Sequence, residues 1–251
     1  MRCNWRELDE RFTLTVEQPW ASLDRDYADV GAVTLKELLN SDGVAAIRDW
    51  LGTVVARGRS IPASFEPEFE AGTDAVRKLR RLYWNDEAFW GGVFNQSGLP
   101  EMACRFVGRP VVLTFHAAFT KPSAVGTRVA LHQDQALWTH QYPGAVSVWV
   151  ALTPANRHNG GLIGCPGSHR RGPITHRDEP DHPWHGGVDW RGEGLGEPVP
   201  YDLDPGDALL WHRDFVHGSG ANASAESRWG VVMVFVDRTQ ASLHTRDRAD
   251  F

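Results

Sequence analysis

Three His-x-Asp triplets stand in this chain: His132-Gln133-Asp134, His176-Arg177-Asp178 and His212-Arg213-Asp214. With 11 histidines among 251 residues, about one such triplet arises by chance, so the pattern needs context before it means chemistry. On a β-strand, residues two apart point to the same face, and a His-x-Asp at a strand end can offer an imidazole and a carboxylate to one ion. Only "RVALHQD" closes a clear alternation, in which Arg128, Ala130, His132 and Asp134 share a face. His176 lies in "GPITHRDEPDHP", where prolines and charges read as a solvated turn. His212 ends "DALLWH", and with Asp214 and His217 it makes a second conceivable group. Its "HRD" also occurs in kinase catalytic loops, but no glycine-rich loop or Val-Ala-Ile-Lys strand accompanies it here.

Two imidazoles and one carboxylate on one side of an ion, with open positions left over, suit non-haem iron(II) and oxygen activation. His132 and Asp134 lack one more histidine. His217 is the best candidate, because it falls at a turn between the apolar segments "DALLWH" and "RWGVVMVFV". Eleven residues later Arg228 opens the second segment, where its guanidinium can pair bidentately with a small dicarboxylate. The plainer alternatives are a satisfied polar pair at a strand end and a surface arginine. Arg228 begins a strand that should pack in the core, which favours a buried anion as its partner.

The elements that must hold these residues fall into two textures. "SDGVAAIRDWLGTVVARG" places Val44, Ile47, Trp50, Leu51, Val54 and Val55 at helical spacing after a Ser41/Asp42 cap, with Gly58 at its end. A second helix is expected from Thr73 through "TDAVRKLRRLYW", with shorter turns in "NDEAFWGGVFNQ" and "EMACRF", so residues 1–108 read as helix and loop. From Val111, segments such as "VVLTFHAAFT", "VSVWVALT" and "RWGVVMVFV" are short, β-branched or aromatic, and bounded by Gly, Pro and Asn. They read as a sandwich or barrel of strands over about 109–238. Residues 173–205, rich in Pro, Gly, His and Trp, are expected to form a lid over its mouth. The whole is read as a single domain.

Composition narrows the partners. A net charge of −6 disfavours nucleic acid and acidic membranes, and no apolar run approaches a membrane span, so a small-molecule substrate is expected. Cys3, Cys104 and Cys165 are too scattered for a disulfide framework, and the N-terminus lacks the apolar core of a signal peptide. Both fit a cytoplasmic protein. The sequence leaves the oligomeric state open.

The order "HQDQALW…SVWVALTPANRHNGGLIGCPGSHR…PGDALLWHRDFVHGSGANASAESR" resembles the phytanoyl-CoA dioxygenase family of iron(II)- and 2-oxoglutarate-dependent oxygenases, over about residues 110–236. The resemblance implies a double-stranded β-helix (jelly roll, cupin-like) with flanking N-terminal helices. It implies iron(II) on His132, Asp134 and His217, with 2-oxoglutarate and O2 as cosubstrates. The distal carboxylate of 2-oxoglutarate would meet Arg228 and Ser219, Trp149 would wall the cosubstrate pocket, and Thr114 or His116 would line it. Because Asp134 keeps the carboxylate in place, oxygenation is expected rather than halogenation.

Trp138, beside the proposed iron, and Trp184 and Trp190, in the proposed lid, offer flat faces to a sugar or ring. Of the polar residues near the mouth, His140 joins the candidate substrate contacts, while Arg157, His182 and His185 keep solvated loop as their default. The expected reaction is oxidation of a C–H bond, by hydroxylation or oxidative ring closure, in a polar natural product such as an antibiotic saccharide. An amino acid or its derivative is the alternative substrate. Two rival readings are a non-catalytic sugar-binding barrel and a cupin-like zinc isomerase or hydrolase, though the latter has no use for a dicarboxylate-binding arginine.

Overall fold

The computed structural model describes residues 20–138, 140–179, 182, 185–241 and 248–250. Its N-terminal part comprises α1 (Trp20–Val30), β1 (Ala32–Leu35), α2 (Ser41–Val55), β2 (Glu68–Phe69), β3 (Val76–Arg80), α3 (Leu82–Asn85), α4 (Glu87–Ser97) and α5 (Leu99–Val107). The strands β4 (Val111–Lys121), β5 (Val129–His132), β6 (Ala145–Ala151), β7 (Leu162–Gly164), β8 (Val199–Tyr201), β9 (Ala208–His212), β10 (His217–Ser219) and β11 (Arg228–Asp237) follow. A single helical turn, α6 (Asp134–Leu137), succeeds β5, and α7 (Arg238–Ala241) with β12 (Ala249–Asp250) ends the described chain. Among the described residues no helix is long and apolar enough to cross a membrane.

The strands form two antiparallel sheets, a large one in the order β1-β9-β6-β11-β4-β3-β2, with β12 also on β4, and a smaller one in the order β5-β10-β7-β8. This is the expected double-stranded β-helix. The large sheet has two occupied faces, as the alternation of its strands requires. On one face Val146, Val148, Val150, Met233 and Phe235 pack against Ile47 and Leu51 of α2 and Trp90 and Phe94 of α4. On the other, Trp149, Leu209, Trp211 and Val232 meet Leu162 and Phe215 from the small-sheet side.

The α2 helix forms where its spacing predicts, but its cap is one residue earlier, Asn40, whose side chain accepts from Gly43 N at 2.8 Å. The helix expected from Thr73 is instead β3, which lies between β4 and the two-residue β2, with Lys78 opposite Phe119. Val76, Leu79 and Leu82 repeat at a helical interval, which misleads in so short a segment. The unpaired edge of an 11-residue β4 competes for the same chain and wins. Arg81, at φ 58°, turns the chain out of β3 into α3. Segments read as shorter turns are full helices, α4 and α5, and β1 adds a strand beside β9.

A bulge in β4 sets which side chains face inward. Val234 pairs with Phe115 and Phe235 with Leu113, leaving Thr114 as an extra residue. Phe115, Ala117 and Phe119 therefore face the interior between the sheets, while Leu113 and Ala118 face the helices.

Candidate active site

The antiparallel pairing of β5 with β10 sets His132 directly opposite His217, and their ring centroids lie 4.4 Å apart. Strand β5 ends at His132. Gln133 then makes bonds that halt the strand: its N donates to His176 Nε2 (2.9 Å), its Nε2 to Gly172 O (2.9 Å) and Asp214 O (2.7 Å), and its Oε1 accepts from Ile174 N (2.8 Å). Asp134 thus opens α6 rather than extending the strand, a departure from the expected shared face. His176, read as part of a solvated turn, is half-buried and serves here as an acceptor.

Asp134 Oδ1 lies 3.6 Å from His132 Nε2 and 3.7 Å from His217 Nε2. His132, Asp134 and His217 present ligand atoms all within 4.8 Å of one another, and no other such group of His, Cys, Asp or Glu occurs among the described residues. The second conceivable group, around His212 and Asp214, does not form. His217 has left it for the first group, and His212 Nδ1 instead accepts from Asp214 N at 3.1 Å.

The surrounding bonds suit a metal. His132 Nδ1 lies 2.8 Å from Ala130 O, and His217 Nδ1 lies 3.0 Å from Phe215 O, so each ring donates from Nδ1 and keeps its Nε2 lone pair for an ion. Asp134 Oδ2 accepts from Ser147 Oγ (2.5 Å) and Trp211 Nε1 (2.9 Å), which leaves Oδ1 toward the imidazoles. Burial pushes His217 down to about 4, against the pull of Asp134. Burial alone would raise Asp134, but His217 and His132 hold it well below the ordinary carboxylate range. A neutral His217 beside an ionised Asp134 suits iron binding, which needs a free imidazole lone pair and a carboxylate.

A cavity of about 480 Å³ opens beside the triad. Arg228, at the start of β11, lines it and is buried. One donor is used, from Nη2 to Gly160 O at 2.7 Å, while Nε and Nη1 have no partner. Burial drives this guanidinium down to about 9. A buried cation with two orphaned donors is costly unless an anion reaches it, and a carboxylate oxygen can accept from such a donor. Trp149 lies beneath it, 5.1 Å from ring centroid to guanidinium carbon. That ring fits because β11 offers Gly230 there: a Cβ on Gly230 would stand 2.0 Å from Trp149 Cζ2. Ser219, two residues past His217 on β10, lines the same cavity.

Trp138 also lines the cavity. Four other expected contacts lie elsewhere. His116 is on the helix side of β4, fully buried between Trp90 (4.3 Å) and Phe94 (5.5 Å). Thr114 is the bulged residue, its hydroxyl 3.4 Å from Val234 O. The slip at Thr114 gives the inward positions to Phe115 and Phe119 instead. Trp190 packs with Cys165, Ile174, Val188 and Val216, under the Arg191 guanidinium at 4.2 Å. His140 stands beside Tyr142, outside the cavity wall. Trp184 lies outside the described residues.

Sequence reasoning missed the cations of β3. Arg77, Lys78 and Arg80 line the cavity together with Glu68. Glu68 bonds Arg77 at 2.7 Å and also pairs with Arg80. Among the described residues no ion pair joins Lys78, whose ammonium lies 4.8 Å over Phe119 and 5.3 Å over Phe115. Burial, with Arg80 beside it, lowers Lys78 to about 8.

Iron and a keto acid on this scaffold mark the non-haem iron(II)- and 2-oxoglutarate-dependent oxygenases, and the chain is an enzyme of that class. It belongs to the phytanoyl-CoA dioxygenase (PhyH) family, whose profile matches residues 27–230. Peroxisomal phytanoyl-CoA dioxygenase of Bos taurus is 26% identical, over 91% of this chain and 72% of the bovine protein. Among solved structures, the non-heme alpha-ketoglutarate-dependent carbocyclase SnoK from nogalamycin biosynthesis matches with a TM-score of 0.71 and 20% identity, over 94% of this chain and 95% of SnoK. EctD from S. alaskensis with 2-oxoglutarate and 5-hydroxyectoine matches with a TM-score of 0.74 and 20% identity, over 92% and 83% of the two chains. These two likenesses are of fold.

Proposed function

We propose that this oxygenase oxidises a C–H bond of a small polar natural product, a saccharide of antibiotic biosynthesis being the preferred class, by hydroxylation or oxidative ring closure. His132, Asp134 and His217 hold iron(II), and Arg228 with Ser219 holds the distal carboxylate of 2-oxoglutarate. The observation that carries this reading is the buried Arg228, with Nε and Nη1 unpartnered, lining the cavity that the metal triad also lines. A dicarboxylate can reach both, whereas a monocarboxylate at the iron would leave the guanidinium unsatisfied. The occurrence of a fold neighbour in nogalamycin biosynthesis supports an antibiotic setting.

When bound, iron(II) supplies the activation of O2 coupled to decarboxylation of the keto acid. The chain supplies position. Ser147 and Trp211 aim Asp134, the carbonyls of Ala130 and Phe215 orient the imidazoles, and Trp149 flanks the guanidinium. Phe115, Phe119, Leu162 and Val232 wall the cavity with apolar surface that excludes water. Lys78 adds attraction for an anion at the cavity wall.

Anaerobic titration of the apo-protein with iron(II) and then 2-oxoglutarate tests this reading, through the weak visible charge-transfer band of a chelated keto acid. The band is expected in the wild type, absent in His132→Ala and His217→Ala, and weakened in Arg228→Met while iron still binds. No band in the iron-loaded wild type would remove the oxygenase site and favour a sugar-binding barrel. Arg228→Met binding 2-oxoglutarate as tightly as wild type would remove the arginine's role.

A further inference from the structure

Of residues 173–205, His185 is the one described residue that lines the cavity. Its ring is 4.4 Å from that of His132, centroid to centroid, but it stands outside the group of ligand atoms that converge within 4.8 Å. It is therefore a neighbour of the metal position and not a fourth ligand.

The ring is held there by backbone bonds. Arg177 and Gly187 exchange two hydrogen bonds (2.8 and 2.7 Å), and Val188 N donates to Leu131 O at 2.7 Å, directly before His132. The carbonyl of His185 accepts from His182 Nδ1 at 3.0 Å. His185 Nδ1 lies 2.8 Å from Gly186 O and so carries the ring proton. That leaves Nε2 with a lone pair. His185 lines the cavity, so this nitrogen is the acceptor that the ring offers to an occupant there.

An acceptor fixed in the wall beside a reacting position selects for a donor on the substrate. We propose that His185 Nε2 accepts a hydrogen bond from a substrate hydroxyl borne close to the C–H bond that is oxidised. The inference rests on the oxygenase reading above and narrows the substrate to one carrying a free hydroxyl near the reacting carbon. A hydrocarbon chain has nothing to offer this nitrogen.

The test uses methyl glucoside, methyl mannoside, methyl galactoside and their monodeoxy counterparts as probes, titrated calorimetrically and anaerobically into the iron(II)- and 2-oxoglutarate-loaded enzyme. The charge-transfer band of each preparation first establishes loading. The wild type is expected to bind at least one parent glycoside about tenfold more tightly than one deoxy counterpart, the worth of one net hydrogen bond. His185→Phe, which keeps a ring and removes the acceptor, is expected to lose that discrimination, and His185→Gln to recover part of it. A loaded His185→Phe that discriminates as the wild type does would overturn the assignment, as would a loaded wild type that binds no hydroxylated probe or prefers none over its deoxy form. A wild type that fails to load overturns the oxygenase reading first, and this inference with it.

Discussion

Ser147 and Trp211 touch no metal position, yet their two bonds to Asp134 Oδ2 decide where Oδ1 points. Removing such supports costs metal sites about 10–100-fold in affinity. Ser147→Ala and Trp211→Phe are each expected to weaken iron(II) binding by that order, read by competition with a chelator, with the folded state retained. His116 makes a different prediction. Both its ring nitrogens are buried without partners, and burial holds it down at about 3, against an unperturbed 6.5. Its folded form refuses a proton that the unfolded chain accepts, so stability is lost as the pH falls from about 6.5 toward 3, by about 1.4 kcal/mol per pH unit. His116→Leu should flatten that part of the stability profile, read as the difference in melting temperature between pH 7 and pH 5 against wild type. The His132, Asp134 and His217 cluster was legible in the sequence from a His-x-Asp at a strand end and a histidine at a turn between strands, although Asp134 opens α6 and does not continue the alternation. The burial of Arg228 was legible from its place at the start of an apolar strand. Ser147 and Trp211 were not. They come from β6 and β9, and only the sheet register, in which they face each other, brings them to Asp134.

At the level of elements, the strand-rich texture after Val111 announced the β-core, and α2 could be read from its apolar period. The segment from Thr73 could not, since its helical interval is satisfied equally by a short strand once β4 needs a partner. That misreading hid Lys78 and its two arginine neighbours, whose approach to the cavity depends on β3 being extended. Thr114 illustrates the same limit inside a strand correctly foreseen. One extra residue transfers the inward face from His116 to Phe115, and nothing local in "VVLTFHAAFT" marks the slip. The pairing of β6 with β11 carries a prediction of its own, because Trp149 occupies the space left by Gly230. Gly230→Ala should push that ring toward Arg228. We expect 2-oxoglutarate affinity to fall at least tenfold with iron binding kept, together with a loss of stability of about 1–3 kcal/mol from overpacking, checked by ligand titration and by denaturant unfolding.

In the whole molecule, the N-terminal helices and the β-core share one apolar layer, and β1, β2 and β3 are strands of the large sheet itself. We expect a single cooperative unfolding transition, the same by near-UV and far-UV circular dichroism, since neither part retains its core alone. Charge behaves differently at different distances. The chain carries −6 overall, whereas the cavity wall gathers Arg77, Lys78, Arg80 and Arg228 against Glu68 and the metal-bound role proposed for Asp134. An approaching dianion thus meets repulsion first and attraction only at the mouth. Salt shortens the screening length from about 30 Å at 0.01 M to about 8 Å at 0.15 M, which weakens the outer field far more than contact with a buried guanidinium. Stopped-flow mixing of the iron(II) form with 2-oxoglutarate should accordingly show an association rate that rises over this range and a dissociation rate that hardly moves. An association rate that falls instead would mean that the mouth cations govern the far field. On this view the bulk charge sets how often a keto acid arrives, and buried Arg228 sets how long it stays.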